Sequence, residues 1–208
     1  MTVEQRIRLR RQQRRAAAIH NTYDHDWETY LTLGYLRFTP GPSRQRLTDW
    51  AWNTGLTRFF TRRAGITFDA RGYYGMAYVG LNFTNQTRFK VSQYELMAGP
   101  TYRIYVQPKY SAAVRFMGGW ALGDFTGDTN GYGSICDTPS GVCTNSNQYL
   151  LYHDGSTYAA SAALLLDYNL SPALSFRVAP EYFFTGFGST TQYSRGFTIG
   201  LAYRFGKQ

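Results

Sequence analysis

The chain has 208 residues, of which 17% are aromatic and only 17% charged, with 21 glycines and a formal net charge of +9. A charged fraction below the ~25% of ordinary soluble domains, combined with so many rings and glycines, excludes a disordered chain or a helical bundle and favours β structure. No run approaches the ~18 consecutive apolar residues of a membrane-crossing helix.

Residues 1–26 form a basic N-terminal tail. Arg6, Arg8, Arg10, Arg11, Arg14 and Arg15 stand there with Glu4 as the one acid before His20. The segment does not read as a secretory leader, because no apolar region of about 7–15 residues follows the charges. Ala16-Ala17-Ala18-Ile19 has helix propensity, but the apolar face is thin, so a flexible tail is expected, with contact to anionic lipid headgroups as the alternative. It has no interleaved aromatics, and nucleic acid is not an expected partner.

From Trp27 the pattern alternates with a period of two, and residues 27–208 are assigned to one barrel domain. The apolar positions run Trp27-Leu31-Leu33-Tyr35, Trp50-Trp52-Leu56, Ile66-Phe68-Tyr74, Tyr94-Leu96-Ala98-Tyr102, Ala112-Val114-Phe116-Trp120, Ala160-Ala162-Leu164-Leu166, Leu174-Phe176-Val178-Tyr182-Phe184 and Phe197-Ile199-Leu201-Tyr203-Phe205. Eight alternating runs of about ten residues match strands that cross a bilayer. The connections alternate between tight (Thr61–Ala64, Gln107–Tyr110, Asn169–Ala173) and long (Thr39–Arg46, Gly75–Lys90, Ala121–Thr157, Thr185–Ser194). That asymmetry, with both termini on the short-turn side, is typical of outer-membrane barrels and makes the tail periplasmic.

Alternation alone does not say which face is outside, since a lipocalin-type soluble barrel alternates too. The composition of the two faces decides. The apolar face has no charge at its central positions. The other is rich in small residues and carries Glu28, Asp49, Asp69, Glu95, Asp167 and Glu181 against Arg71, Arg103, Arg115, Arg177 and Arg204. Six acids against five bases, all arginine, is the near-neutral set that a buried ion-pair network requires. The apolar face is therefore assigned to lipid and the charged set to a filled lumen. Two aromatic belts are expected at the interfaces, with Trp27, Phe59 and Phe60 at one end and Trp50, Trp52, Tyr73, Tyr74, Trp120 and Phe184 at the other.

The remaining candidates carry less. Cys136 and Cys143 are read as a short disulfide loop, with two free thiols as the alternative. His20, His25 and His153 form no catalytic set, even with Asp154 beside His153, and no enzyme activity is expected. Asp124-Phe-Thr-Gly-Asp128-Thr-Asn130-Gly131 lacks the full spacing of a calcium loop. No metal and no cofactor is expected. Asn82-Phe-Thr84 and Asn85-Gln-Thr87 are sequons by pattern only, and Tyr132, Tyr149 and Tyr152 are candidates for a contact surface.

Tyr30-Leu-Thr-Leu-Gly-Tyr-Leu-Arg37, Trp52-Asn-Thr-Gly55, Gly65-Ile-Thr-Phe-Asp-Ala-Arg-Gly-Tyr-Tyr74, Met97-Ala-Gly-Pro-Thr-Tyr-Arg103 and Gly196-Phe-Thr-Ile-Gly-Leu-Ala-Tyr-Arg-Phe205 resemble the eight-stranded outer-membrane barrels of OmpA/OmpX type, over about residues 27–205. The last strand resembles the signal read by the barrel-assembly machinery, although Gly206-Lys-Gln208 follow the aromatic. The resemblance implies an all-β, eight-stranded, antiparallel up-and-down transmembrane barrel in the outer membrane, a monomer in contact with membrane lipid and lipopolysaccharide. Its implied role is structural or adhesive, with loops meeting a surface ligand. A narrow porin-like channel and a soluble lipocalin-like ligand binder are the alternatives.

Overall fold

A computed structural model describes residues 3–39, 46–78, 88–125, 154–187 and 191–206. One helix, α1 (Val3–Tyr23), precedes eight strands: β1 (Trp27–Phe38), β2 (Leu47–Phe59), β3 (Ala64–Tyr78), β4 (Arg88–Val106), β5 (Tyr110–Asp124), β6 (Gly155–Asn169), β7 (Leu174–Thr185) and β8 (Gln192–Phe205). Every strand pairs antiparallel with its neighbour in sequence, and β8 returns to β1, from Trp27 opposite Phe205 to Arg37 opposite Arg195. Closure leaves no open edge, so all backbone pairing is internal.

The burial pattern has a strict period of two. On β1, Glu28, Tyr30, Thr32 and Leu36 are buried while Leu31, Leu33 and Tyr35 are exposed. The apolar face, including Leu164, Phe176 and Ile199, points away from the barrel axis, and Arg115 and Arg177 point into it. Pro100 and Pro180 both lie on the outer face, and the β4–β5 and β6–β7 ladders are each interrupted beside them. Proline has no amide hydrogen to donate. A bulge between Arg103 and Tyr105 turns Ile104 and Tyr105 outward in succession.

The short connections are closed by local bonds. Phe60 N donates to the Ala64 carbonyl at 3.0 Å, Gln107 N to Tyr110 at 2.9 Å and Leu170 N to Leu174 at 2.9 Å. Ser171 Oγ accepts from Leu174 N at 3.0 Å.

The structure differs from the sequence reading in three places. Residues 3–23 are helical rather than a flexible tail. The helix is exposed over most of its length but ends in buried Thr22 and Tyr23, so anchoring at its last turn, not an apolar stripe, holds it. Phe59 and Tyr73 belong to neither aromatic belt, because both face the interior and are buried. Third, the strands run further than the alternating runs. They add Leu36, Phe38, Leu47 and Val91 to the inner face at the end away from the termini, where Phe125 and Phe187, just past β5 and β7, join them. That end of the lumen is apolar, not polar as expected, and holds the stacked Phe38–Phe125 pair and the edge-on Phe125–Phe187 pair. On β1, β2, β4 and β5 the outer positions there are Arg37, Thr48, Lys90 and Asp124. The polarity of the wall has reversed.

Candidate functional site

The interior is the candidate site, and it is built in layers. All eleven charged residues assigned to it are buried. Each lies on the inward register of its strand, so the period of two that places leucines outside places carboxylates and guanidiniums inside.

The first layer lies near the short turns. Glu28 on β1 meets Arg103 on β4 at 3.0 Å, Arg177 on β7 at 2.5 Å and Arg204 on β8 at 3.0 Å. Asp167 on β6 takes a two-point contact from Arg177, at 2.7 and 2.9 Å, and reaches Arg204 at 3.4 Å. Three guanidiniums face two carboxylates. Aromatic and carbonyl groups face the surplus charge: the Arg103 guanidinium sits 3.5 Å from the Phe59 ring centre, donates to the Arg62 carbonyl at 3.0 Å and lies 5.1 Å from the Tyr23 ring centre. A cation over a ring face is stabilised by the ring quadrupole, most strongly where water is excluded.

Tyr23 closes this layer from the end where the termini lie. It comes from α1, is fully buried, and packs over Arg204 as well, 4.9 Å from the ring centre. Its hydroxyl donates to the Gln107 carbonyl at 3.0 Å and accepts from the Asn169 amide at 2.7 Å. Asn169 in turn accepts from Arg204 at 2.9 Å.

The second layer uses β1, β3, β5 and β7. Arg71 pairs with Asp69 at 2.5 Å and with Glu181 at 2.9 Å, and Arg115 stands 3.8 Å from Asp69. Tyr30 joins the components: its hydroxyl donates to Asp69 and accepts from Arg115 at 2.6 Å. Its ring lies 5.1 Å from the Arg115 guanidinium and 5.4 Å from that of Arg177, so it links the two layers. Gly55 makes room for that ring, since a Cβ there would stand 2.6 Å from Tyr30 Cζ.

Nine of the eleven are thus brought together in ion pairs, and Asp49 and Glu95 are not. Glu95 faces Arg71 across the β3–β4 ladder, yet neither of its oxygens makes a hydrogen bond. Asp49 lies against Gly75, beside apolar Leu47 and Ala51, with both oxygens unbonded. Tyr30, Tyr23 and Asn169 were not singled out from sequence as parts of this network. The inward parity of Tyr30 and Asn169 was the available signal. Tyr23 carried only that of a ring at the end of a polar segment.

Cys136, Cys143, His153, the loop tyrosines, both sequons and the stretch from Thr126 to Gly131 lie outside the described residues. Among the described residues there is no disulfide, and no group of three or more His, Cys, Asp or Glu is placed to hold a metal ion. His20 lies 3.4 Å from Asp24, and His25 contacts the Gly206 carbonyl at 2.7 Å, both at the terminal end.

Neisserial surface protein A superposes with a TM-score of 0.57 at 11% identity, covering 86% of this chain and 97% of that one. OprG, the outer-membrane protein of Pseudomonas aeruginosa, gives a TM-score of 0.53 at 11% identity over 88% and 97%. The chain has the fold of the eight-stranded outer-membrane barrels. No protein-family model matches it, and neither does any curated sequence. At these identities the likeness concerns architecture, and function has to be argued from the residues.

Proposed function

We propose that this protein is a monomeric outer-membrane barrel with a closed lumen and a passive role: it anchors in the bilayer and presents its long connections at the cell surface. The observation that carries this reading is the inverted polarity of the wall, with paired charges inside and an uncharged apolar band outside. Leu31, Leu33, Phe68 and Leu96 are each more than 60% exposed, a surface that water does not tolerate over such an area. Rings flank the band. Trp27, Phe60, Tyr110 and Phe205 lie toward the termini, and Tyr35, Trp50, Tyr74 and Trp120 toward the other end. Along β1 these belts are eight residues apart. That is about 27 Å of strand and about 20 Å along the axis at a tilt of about 40°, near the height of a hydrocarbon band. The reversal at Arg37, Thr48 and Lys90 marks where lipid gives way to water.

The ion-pair layers span the barrel from β1 to β4 and from β3 to β7, which favours a plug over a pore. The short turns and termini are read as periplasmic. The long connections 79–87 and 126–153 are then extracellular and supply any adhesive or ligand contact. Arg37 and Arg195 face each other across the β1–β8 ladder on the outer wall. Two arginines on paired strands near the belt away from the termini suit the phosphates of lipopolysaccharide. The exposed Phe197-Ile199-Leu201-Tyr203-Phe205 face of β8 suits recognition by the barrel-assembly machinery. Nothing in this reading calls for enzymatic chemistry.

The test is extraction and conductance. The purified chain is expected to need detergent, to shift mobility on heating in gel electrophoresis, and to leave planar bilayers non-conducting. Steady single-channel steps would replace the anchor with a channel. Solubility without detergent would favour the lipocalin-like alternative.

A further inference from the structure

The helix α1 has a charge distribution that the anchoring role does not use. At 3.6 residues per turn, Arg6, Arg8, Arg10, Arg11, Arg14 and Arg15 fall within an arc of about 200°. Gln5, Leu9, Gln12, Gln13, Ala16 and Ile19 fill the rest of the circumference. All six arginines are exposed, and Glu4 is the only acid in the helix. A face so charged does not insert into hydrocarbon and offers no apolar stripe to a partner helix.

Two contacts hold this face beside the barrel rim. Tyr23 is seated in the mouth, and Arg15 donates to the Gln107 side chain at 2.9 Å from Nε and also through Nη2. Gln107 belongs to the same short turn whose carbonyl Tyr23 contacts. The last two turns of the helix, from Arg15 to Tyr23, are therefore held at the rim. The rim itself is basic: Arg62, Arg63 and Lys109 occupy the short turns and are exposed. Arg58 lies 5.5 Å from the Trp27 ring centre and 5.8 Å from that of Phe60, at the level of the aromatic belt that meets the headgroups.

We infer that α1 and the adjoining rim form a docking surface for the anionic phospholipid headgroups of the leaflet that surrounds the terminal end of the barrel. The occupant follows from continuity and charge. Arg15, held at the rim, adjoins the exposed rim bases Arg62, Arg63 and Lys109 and the Arg58 of the aromatic belt, so the basic surface of the helix continues that of the rim, and guanidinium suits phosphate geometrically. Polybasic segments next to a membrane span are drawn to anionic lipid and are released by salt. This inference rests on the membrane reading above.

The experiment reconstitutes the full chain in phosphatidylcholine vesicles containing trace spin-labelled phosphatidylglycerol or spin-labelled phosphatidylcholine. It compares the motionally restricted fraction of each label. The expected preference for phosphatidylglycerol is about fivefold or more at low ionic strength and falls toward unity near 1 M salt. A variant with all six helix arginines changed to glutamine, which keeps helix propensity, is expected to lose most of it while retaining heat-modifiable mobility. An inserted wild-type chain without the preference overturns this inference alone, as does a six-glutamine variant that keeps it. A chain that fails to insert overturns the membrane reading as well. At about 0.15 M salt, a bound single-stranded oligonucleotide without phosphatidylglycerol preference overturns the inference in favour of nucleic acid.

Discussion

The Asn169 side-chain amide donates to the Tyr23 hydroxyl at 2.7 Å, tying the last turn of the N-terminal helix to the interior end of β6. The contact makes α1 part of the barrel's closure, because Tyr23 also covers the Arg103 and Arg204 guanidiniums. Tyr23→Phe is expected to cost about 1 kcal/mol, the worth of the hydroxyl's bonds. Tyr23→Ala is expected to cost about 3 kcal/mol by also emptying the mouth. Urea unfolding in detergent measures both. Equal stability of Tyr23→Ala and the parent would mean that the ring is not a structural cap.

Glu28 is the single carboxylate shared by Arg103, Arg177 and Arg204. Its removal leaves three buried guanidiniums with Asp167 as their one remaining carboxylate and strands Arg103 altogether. Glu28→Gln is expected to destabilise by about 3–5 kcal/mol, the range for breaking a buried pair from one side. The readout is the temperature at which the compact gel band is lost. An unchanged transition would count against the first layer.

Gly55 and Tyr30 are sterically coupled across β1 and β2, since a methyl at Gly55 would overlap the Tyr30 ring. Gly55→Ala is expected to cost about 1–3 kcal/mol through overpacking. In a Tyr30→Ala background the same change is expected to cost less, the remainder coming from the Phe68 carbonyl oxygen, which would stand 2.6 Å from the added methyl. A double-mutant cycle by denaturant titration checks this, and additive effects would mean that the two sites are independent.

Asp49 stands in the apolar end of the lumen with neither oxygen hydrogen-bonded. A buried carboxylate without a partner opposes folding. Asp49→Asn is therefore expected to raise stability by about 1 kcal/mol or more, whereas Asp69→Asn, which breaks pairs with Arg71 and Arg115, is expected to lower it. Parallel unfolding curves of the two variants settle the contrast, and two curves shifted in the same direction would contradict it.

Parity along the chain was enough to place most side chains inside or outside, with Phe59 and Tyr73 misassigned to the belts and Tyr105 out of step at the bulge. Trp27 to Tyr35 and Phe197 to Phe205 alternate so regularly that a slip of one residue would put Glu28 and Arg204 in lipid. The even number of runs and the alternation of short with long connections were readable for the same reason: turn lengths and strand periods are local properties. Local pattern is silent about distance across the lumen. Glu28 and Arg204 are neighbours on paired strands, but Glu28 and Arg103 meet only because closure brings β4 opposite β1. The balance of six acids and five bases was visible in the list of residues, whereas the omission of Asp49 from the pairing depends on height along the barrel axis, and that of Glu95 on Arg71 turning to Asp69 and Glu181 instead. Height also made Leu36, Phe38, Leu47 and Val91 an apolar stopper, because the strands continue beyond the band where outer positions must be greasy. The helical state of residues 3–23 was beyond reach for a related reason. A short polar helix is marginal alone, and the group that holds it, Tyr23, finds its partners Gln107 and Asn169 more than eighty residues away in the chain.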